Sequence, residues 1–198
     1  MEILQESDNS IYLKFISRDK QFKLADQECK FKYMQLDLET LQTGWGRYEG
    51  GYEFVWDDVV GAKSQPPAGH GWTRAFSIWV MVDGVEDRPL LWQRNSVNEY
   101  QTMLEILRGC YNQWNERKPA LPCFAFTGTE TIKGKMNDFN RANFSFVDWK
   151  PRKDTFVIPT FDAPNDDDDW VSPNAGLSDK VDEQIAKSGD ITEDDLPF

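Results

Sequence analysis

The chain is short of the residues that catalysis and metal binding most often need. Its cysteines are three, Cys29, Cys110 and Cys123, with no C-x-x-C pair, and His70 is its one imidazole. That excludes a zinc constellation and a disulfide framework, and it suits a reducing, intracellular setting. No Walker loop, G-x-S-x-G elbow or Cys–His spacing is present, so neither an enzyme nor a cofactor is expected. The carboxylate runs do not change this. Asp57 and Asp58 are neighbours and point to opposite faces of a strand, and Asp166–Asp169 reads as a solvated charge run. The start of the chain lacks a basic stretch followed by an apolar one, which argues against a signal peptide. No apolar run approaches the roughly 18 residues of a membrane span. The expectation is a soluble, cytoplasmic protein.

Basic residues are scarce in one region above all. From Phe161 onward there are only Lys180 and Lys187, against twelve Asp and Glu, a net charge of −10. Residues 1–160 hold twenty basic and twenty-two acidic side chains, a net charge of −2 out of −12 for the whole. A strongly acidic body would repel a polyanion; a nearly neutral one leaves nucleic acid open. The same boundary marks a change in composition. Residues 161–198 are rich in Asp, Pro, Gly, Asn and Ser and poor in β-branched residues. Such a segment buries too little apolar surface to offset its ordering entropy, and a disordered acidic tail is expected.

Residues 1–160 carry short alternating runs typical of strands with one wet face: SIYLKFIS, KFKYMQLDLETL, GYEFVWDDVV and WTRAFSIWVMV, the last ending at a DG turn. RPLLWQRNS, PCFAFTGTETIKGK and RANFSFVDWK follow, with DTFVIPTF as an edge strand curtailed by Pro159. One segment has helical spacing instead. Ser96 and Glu99 form a capping-box pattern, Tyr100, Met103, Leu104, Leu107, Tyr111 and Trp114 recur on one face, and Pro119 and Pro122 block continuation. A mostly β body with one main helix points to an OB-fold-like small barrel at 1–160.

Within the strands, rings and cations are interleaved. Trp72, Arg74 and Phe76 share one strand face, as do Trp92 and Arg94 on the next strand; Lys133, Lys135 and Arg141 flank a later turn. Rings that stack on bases beside cations that track phosphates are the chemistry of single-stranded nucleic-acid binding. The glycine-rich TGWGRYEGGY carries Trp45, Arg47, Tyr48 and Tyr52 and reads as a flexible loop able to close over bases or as an irregular hairpin with its rings folded back. Lys63 and His70 sit on a second loop. Phe54, Phe124, Phe126, Phe144 and Phe146 are assigned to the core, and His70 to a plain surface role.

The chain ends ITEDDLPF. Phe198 suits an apolar pocket, its α-carboxylate a basic pocket edge, and Asp194 and Asp195 a basic rim. Pro197, after Leu196, stiffens the backbone before the anchor and reduces the entropy lost on docking. This ending resembles the acidic C-terminal tip of bacterial single-stranded DNA-binding proteins, several Asp followed by Ile/Leu-Pro-Phe. The body, with its internal helix, looks more like the phage-encoded members that join an OB-fold core to an acidic tail. The resemblance implies that the body coats and protects ssDNA in replication, recombination or repair. It also implies that Asp194, Asp195, Leu196, Pro197 and Phe198 recruit partner proteins. In the absence of DNA the tail would occupy the basic groove. Two other readings stand beside this one. An interaction protein or inhibitor would occupy a replication or repair protein without binding DNA, although a DNA mimic should spread its acids over a folded surface. A nuclease with such a tail lacks a catalytic constellation. A homodimer through a sheet edge or the helix is compatible with the sequence.

Overall fold

The computed structural model describes residues 11–85, 87–134 and 138–159. Lys135, the expected tail at 161–198 and its tip therefore lie outside the described residues. Alternating side chains give β1 (Leu13–Ile16), β2 (Gln21–Leu24), β3 (Gln27–Glu28), β4 (Tyr33–Leu36), β5 (Gln42–Tyr48), β6 (Tyr52–Trp56), β7 (Thr73–Val82) and β8 (Leu90–Arg94). The helix α1 (Val97–Arg117) follows, then β9 (Leu121–Ile132) and β10 (Phe139–Lys150). The mostly β class with one main helix is as expected. TGWGRY departs from the expectation, being strand β5 where a loop was expected, and β2 and β3 arise where no strand was expected.

The central strand is β7. One side pairs antiparallel with β8, the other with β4 near its end and β5 near its start. A 3-10 turn at Leu38–Thr40 makes this shared edge possible. Asp37 N donates to Trp79 O at 3.0 Å, and Trp79 N donates to Thr40 Oγ1 at 3.0 Å. The hydroxyl thus takes over one ladder bond while the chain bends from β4 into β5. From there the sheet runs to β9 and β10 at one end and to β6 at the other, and it is not closed.

The β1–β2–β3 sheet lies between β8 and β10. Tyr12 makes a parallel bridge to Leu91. At the far end Ser17 Oγ donates to Asn140 O at 2.8 Å, and Asn140 Nδ2 donates to Ser17 O at 2.9 Å. Hydrogen bonds at two points, rather than a ladder, tie this sheet to its neighbours.

Trp92 stands in the middle of the main core, fully buried against Phe76 (5.1 Å between centroids), Phe22 (5.9 Å) and Phe144 (6.0 Å). Its Nε1 donates to Glu99 Oε2 at 3.1 Å, so the indole keeps a polar partner while its rings fill the core. Glu99 is itself buried and accepts from Arg94 Nε at 2.7 Å. The expected capping box is therefore absent: Ser96 is the N-cap residue but makes no side-chain cap bond, because Glu99 turns inward to the indole and guanidinium. Tyr100, Met103, Ile106, Leu107 and Cys110 bury the inner face of α1, whereas Tyr111 is exposed.

The opposite face of the sheet has a smaller core of Trp79, Met81, Leu91 and Leu121, closed by Ile11 and Phe156. Residues 151–159 cross it as irregular chain, not as the expected edge strand. Arg152 anchors this strap to the buried Asp37 at 2.7 Å and lies 5.0 Å over the Phe156 ring. Pro151 and Pro159 remove two backbone donors, which disfavours ladder pairing here.

Trp92→Ala should cost about 4 kcal/mol in a denaturant titration, because it removes the largest fully buried side chain. A loss below about 1 kcal/mol would contradict the central position assigned to this ring.

Candidate nucleic-acid interface

Registers place the expected binding residues on one side of the sheet. Trp45 is paired with Arg74, and Phe76 with Arg94. Alternation then puts Trp45, Arg47, Trp72, Arg74, Trp92 and Arg94 on the face that α1 packs against. There the cations are already engaged. Arg74 donates to Asp57 Oδ2 at 2.8 Å, to Tyr100 Oη at 2.9 Å and to Ala62 O at 3.2 Å, and it lies 5.0 Å over the Trp45 ring. Trp45 Nε1 donates to Ser64 Oγ at 2.9 Å. Arg47 pairs with Glu49 (2.7 Å) and Glu53 (2.8 Å) and covers the Trp72 ring at 4.7 Å. Arg94 serves Glu99, and Trp92 is wholly buried and has no face to offer a base. The stacking role expected of Trp92 is corrected accordingly, since its indole completes the core. The arginines at 74 and 94 hold buried carboxylates rather than free phosphate sites.

Burial pushes the Asp57 carboxyl up, but hydrogen bonds from Ser64, Arg74 and Thr43 outweigh it and hold the group below the ordinary carboxylate value. Asp57 is thus a charged hub joining β5, β7 and the 61–64 loop.

The outer face differs. Gly44 is paired with Trp56, Gly46 with Phe54 and Tyr48 with Tyr52. These aromatics form a run along edge strand β6. Phe54 and Trp56 are nearly parallel (6°) with centroids 5.0 Å apart, Tyr52 and Phe54 lie at 15° and 6.1 Å, and Tyr48 meets Tyr52 edge-on at 5.1 Å. Tyr52 is 41% exposed, and Tyr48, Phe54 and Trp56 are half-buried. The glycines make room for this. A Cβ on Gly46 would stand 2.8 Å from the Phe54 ring and 2.7 Å from Asn95 Cβ, and one on Gly44 would stand 2.2 Å from Val55 O. The G-W-G of β5 therefore serves close approach, not loop mobility. Ala75 and Thr73 continue the low floor beside Gly44 and Gly46. Along its margin Ser77 Oγ donates to Gln93 Oε1 at 3.2 Å.

Of the remaining expected residues, Lys63 and Lys133 are exposed on loops. Arg141 is occupied by Glu105 at 2.6 Å and by Glu130. The structure thus gathers Trp45 with Arg74, Arg47 with Trp72, and Tyr48 with the outer ladder, and leaves Lys63, Lys133 and Arg141 apart. Phe54, assigned to the core, and Trp56 lie instead on the outer face with Tyr52, because an aromatic strand face looks the same in sequence whether it turns inward or outward. The available signal was Gly-x-Gly on one strand facing Phe-x-Trp on the next. Of the phenylalanines assigned to the core, Phe124 is buried, whereas Phe146 is 40% exposed.

Among the described residues no group of three metal-ligating side chains occurs, and no helix is long and apolar enough to cross a membrane. Comparison of the chain with protein-family models, curated proteins and solved structures gives no match.

Asp57→Ala should cost about 3 kcal/mol, because it leaves Arg74 half-buried without its carboxylate. The native carboxyl is held low, so its contribution is complete above the ordinary aspartate value of about 4 and is lost as pH falls through the lower native value. Acid titration of stability should therefore show a shallower loss for Asp57→Asn than for the parent protein. Parallel curves would contradict the assignment.

Proposed function

We propose that this protein binds single-stranded DNA along the outer face of β5, β6 and β7, with bases stacking on Tyr48, Tyr52, Phe54 and Trp56. The observation that carries the proposal is the run of near-parallel rings along edge strand β6, packed over the buried glycines of β5 and open on their outer side. Rings set side by side on an edge strand offer unpaired bases flat apolar surface, whereas duplex DNA keeps its bases stacked on one another. The nearly neutral charge of residues 1–160 is compatible with such a ligand.

The connectivity supports the finer OB-fold-like reading. Taking β4 and β5 as one bent strand, the order is β8–β7–β4/β5–β9–β10, with α1 between β8 and β9. This is the order of an OB-fold whose helix follows its third strand, with the N-terminal hairpin filling the gap where first and last edges would meet. The usual oligonucleotide surface of that fold, the face of its second and third strands, corresponds here to β7 and β8, so the ring ladder adjoins it through β7 and extends it onto the added strand β6.

On this reading the protein coats ssDNA in the cytoplasm, in the host cell if it is phage-encoded, during replication, recombination or repair. Asp194, Asp195, Leu196, Pro197 and Phe198 offer other replication or recombination proteins an acidic, apolar-ended peptide, and the −10 segment competes with DNA for the body.

Titration with dT oligonucleotides at about 50 mM salt, followed by tryptophan fluorescence, tests the binding. Quenching is expected, and Tyr52→Ala and Phe54→Ala should each weaken affinity by about 1–3 kcal/mol for the base they stack. Absence of binding by the parent protein would sink the proposal. Removing residues 161–198 should tighten binding, most visibly at low salt; unchanged or weaker affinity would refute the competing tail.

A further inference from the structure

The outer face has a cation that the ring ladder does not explain. Tyr12 bridges Leu91 in parallel, so two residues on along each strand Lys14 comes level with Gln93. Leu13 and Phe15 point into the core, which turns Lys14 outward on the side that carries the ladder. Gln93 is paired with Ser77, and Ser77 with Gln42. One row therefore crosses three strands, Gln42, Ser77 and Gln93, and the direction set by the Tyr12 bridge brings Lys14 to its end. It borders the small-residue floor in the next rows, where Ala75 faces Gly44 and Thr73 faces Gly46.

The surroundings of Lys14 are unusual for a lysine. It is half-buried and makes no hydrogen bond or ion pair with the described residues. Directly opposite on β2 is another lysine, Lys23, which Asp19 holds at 2.8 Å. Like charges facing each other across strands are destabilising. Burial also pulls the Lys14 ammonium below the ordinary lysine value; Asp26 opposes this through space, and Arg94 adds to it. A half-buried ammonium with no carboxylate in direct contact is a place where an added anion lowers the energy.

Building on the ssDNA reading, we propose that Lys14 is a phosphate contact of the same site. The nucleic acid crosses the strands of the sheet, its bases over β5 and β6 and its backbone reaching the Gln93–Lys14 end of the polar row. The amides and hydroxyl between them, on Gln42, Ser77 and Gln93, are of the kind that meets sugar and phosphate oxygens. This supplies the electrostatic part of binding that the inner arginines, already engaged with carboxylates, do not.

The test is the salt dependence of affinity for a dT oligonucleotide of about 20 nucleotides, longer than most single-domain sites. Lys14→Gln should flatten the slope of log K against log salt by about 0.7, the value for one phosphate on a single strand. Affinity at about 50 mM salt should fall roughly tenfold, with the quenching at saturation unchanged. Lys14→Arg, which keeps the charge, should retain the parent slope. A Lys14→Gln slope equal to that of the parent, or an equal loss in Lys14→Arg, would overturn this contact and leave ssDNA binding standing. No quenching of the parent protein would remove the binding reading, and this contact with it.

Discussion

The two-residue period of β5 constrains the rest of the site. With Trp45 and Arg47 directed towards the helix, Gly44, Gly46 and Tyr48 must face outward. The outward glycines let the Phe54 and Trp56 side of β6 close onto the sheet, and the inward pair places an indole over Arg74. A slip of one residue would exchange the two sets. It would press Trp45 into the space now taken by Phe54 and leave Arg74 without its stacked ring. The Arg74–Asp57 pair reinforces the observed register, because Asp57 follows β6 directly and accepts from Thr43 on β5 at 2.9 Å.

Charge pairing on the inner face then determines what each face can bind. A guanidinium shared among a carboxylate, a phenol and a carbonyl has little left for a phosphate. Removing it would unsettle the fold before it informed on DNA. The outer face holds fewer cations and more free ring surface. Under the proposed function its chemistry is stacking with electrostatic help from the β1 edge, a combination that would favour unpaired bases over duplex. The strap at 151–159 covers the apolar part of that face around Trp79 and Leu91 and leaves the ladder open.

Most strands were legible in the sequence because alternation is a local property. β7, β9 and β10 follow runs rich in β-branched and aromatic residues, although β7 is buried on both faces for most of its length and β10 carries two register shifts. The helix followed from its spacing, although Glu99 looked like a cap and became a core acid. The strap was misread because Phe156, Val157 and Ile158 suit a strand locally, while its prolines and its perch on the outer face prevent pairing. TGWGRY was misread for a related reason. Glycine in a sequence suggests a turn, and here its missing side chain is needed for ring packing. Lys14 gave no local signal at all, being one of several lysines on alternating strands.

By itself the sequence determined the class of the protein, the limits of its helix, the split of charge between body and tail, and the shortage of catalytic groups. Composition and short-range periodicity suffice for these. Only the tertiary structure decided which aromatic and basic residues are available. Trp92 and Trp45 look alike in sequence, as do Arg74 and Lys14 in charge, yet burial and partners separate them. The side of a sheet that a helix covers depends on contacts between residues far apart in the chain, and two-residue alternation names two faces without saying which is inside.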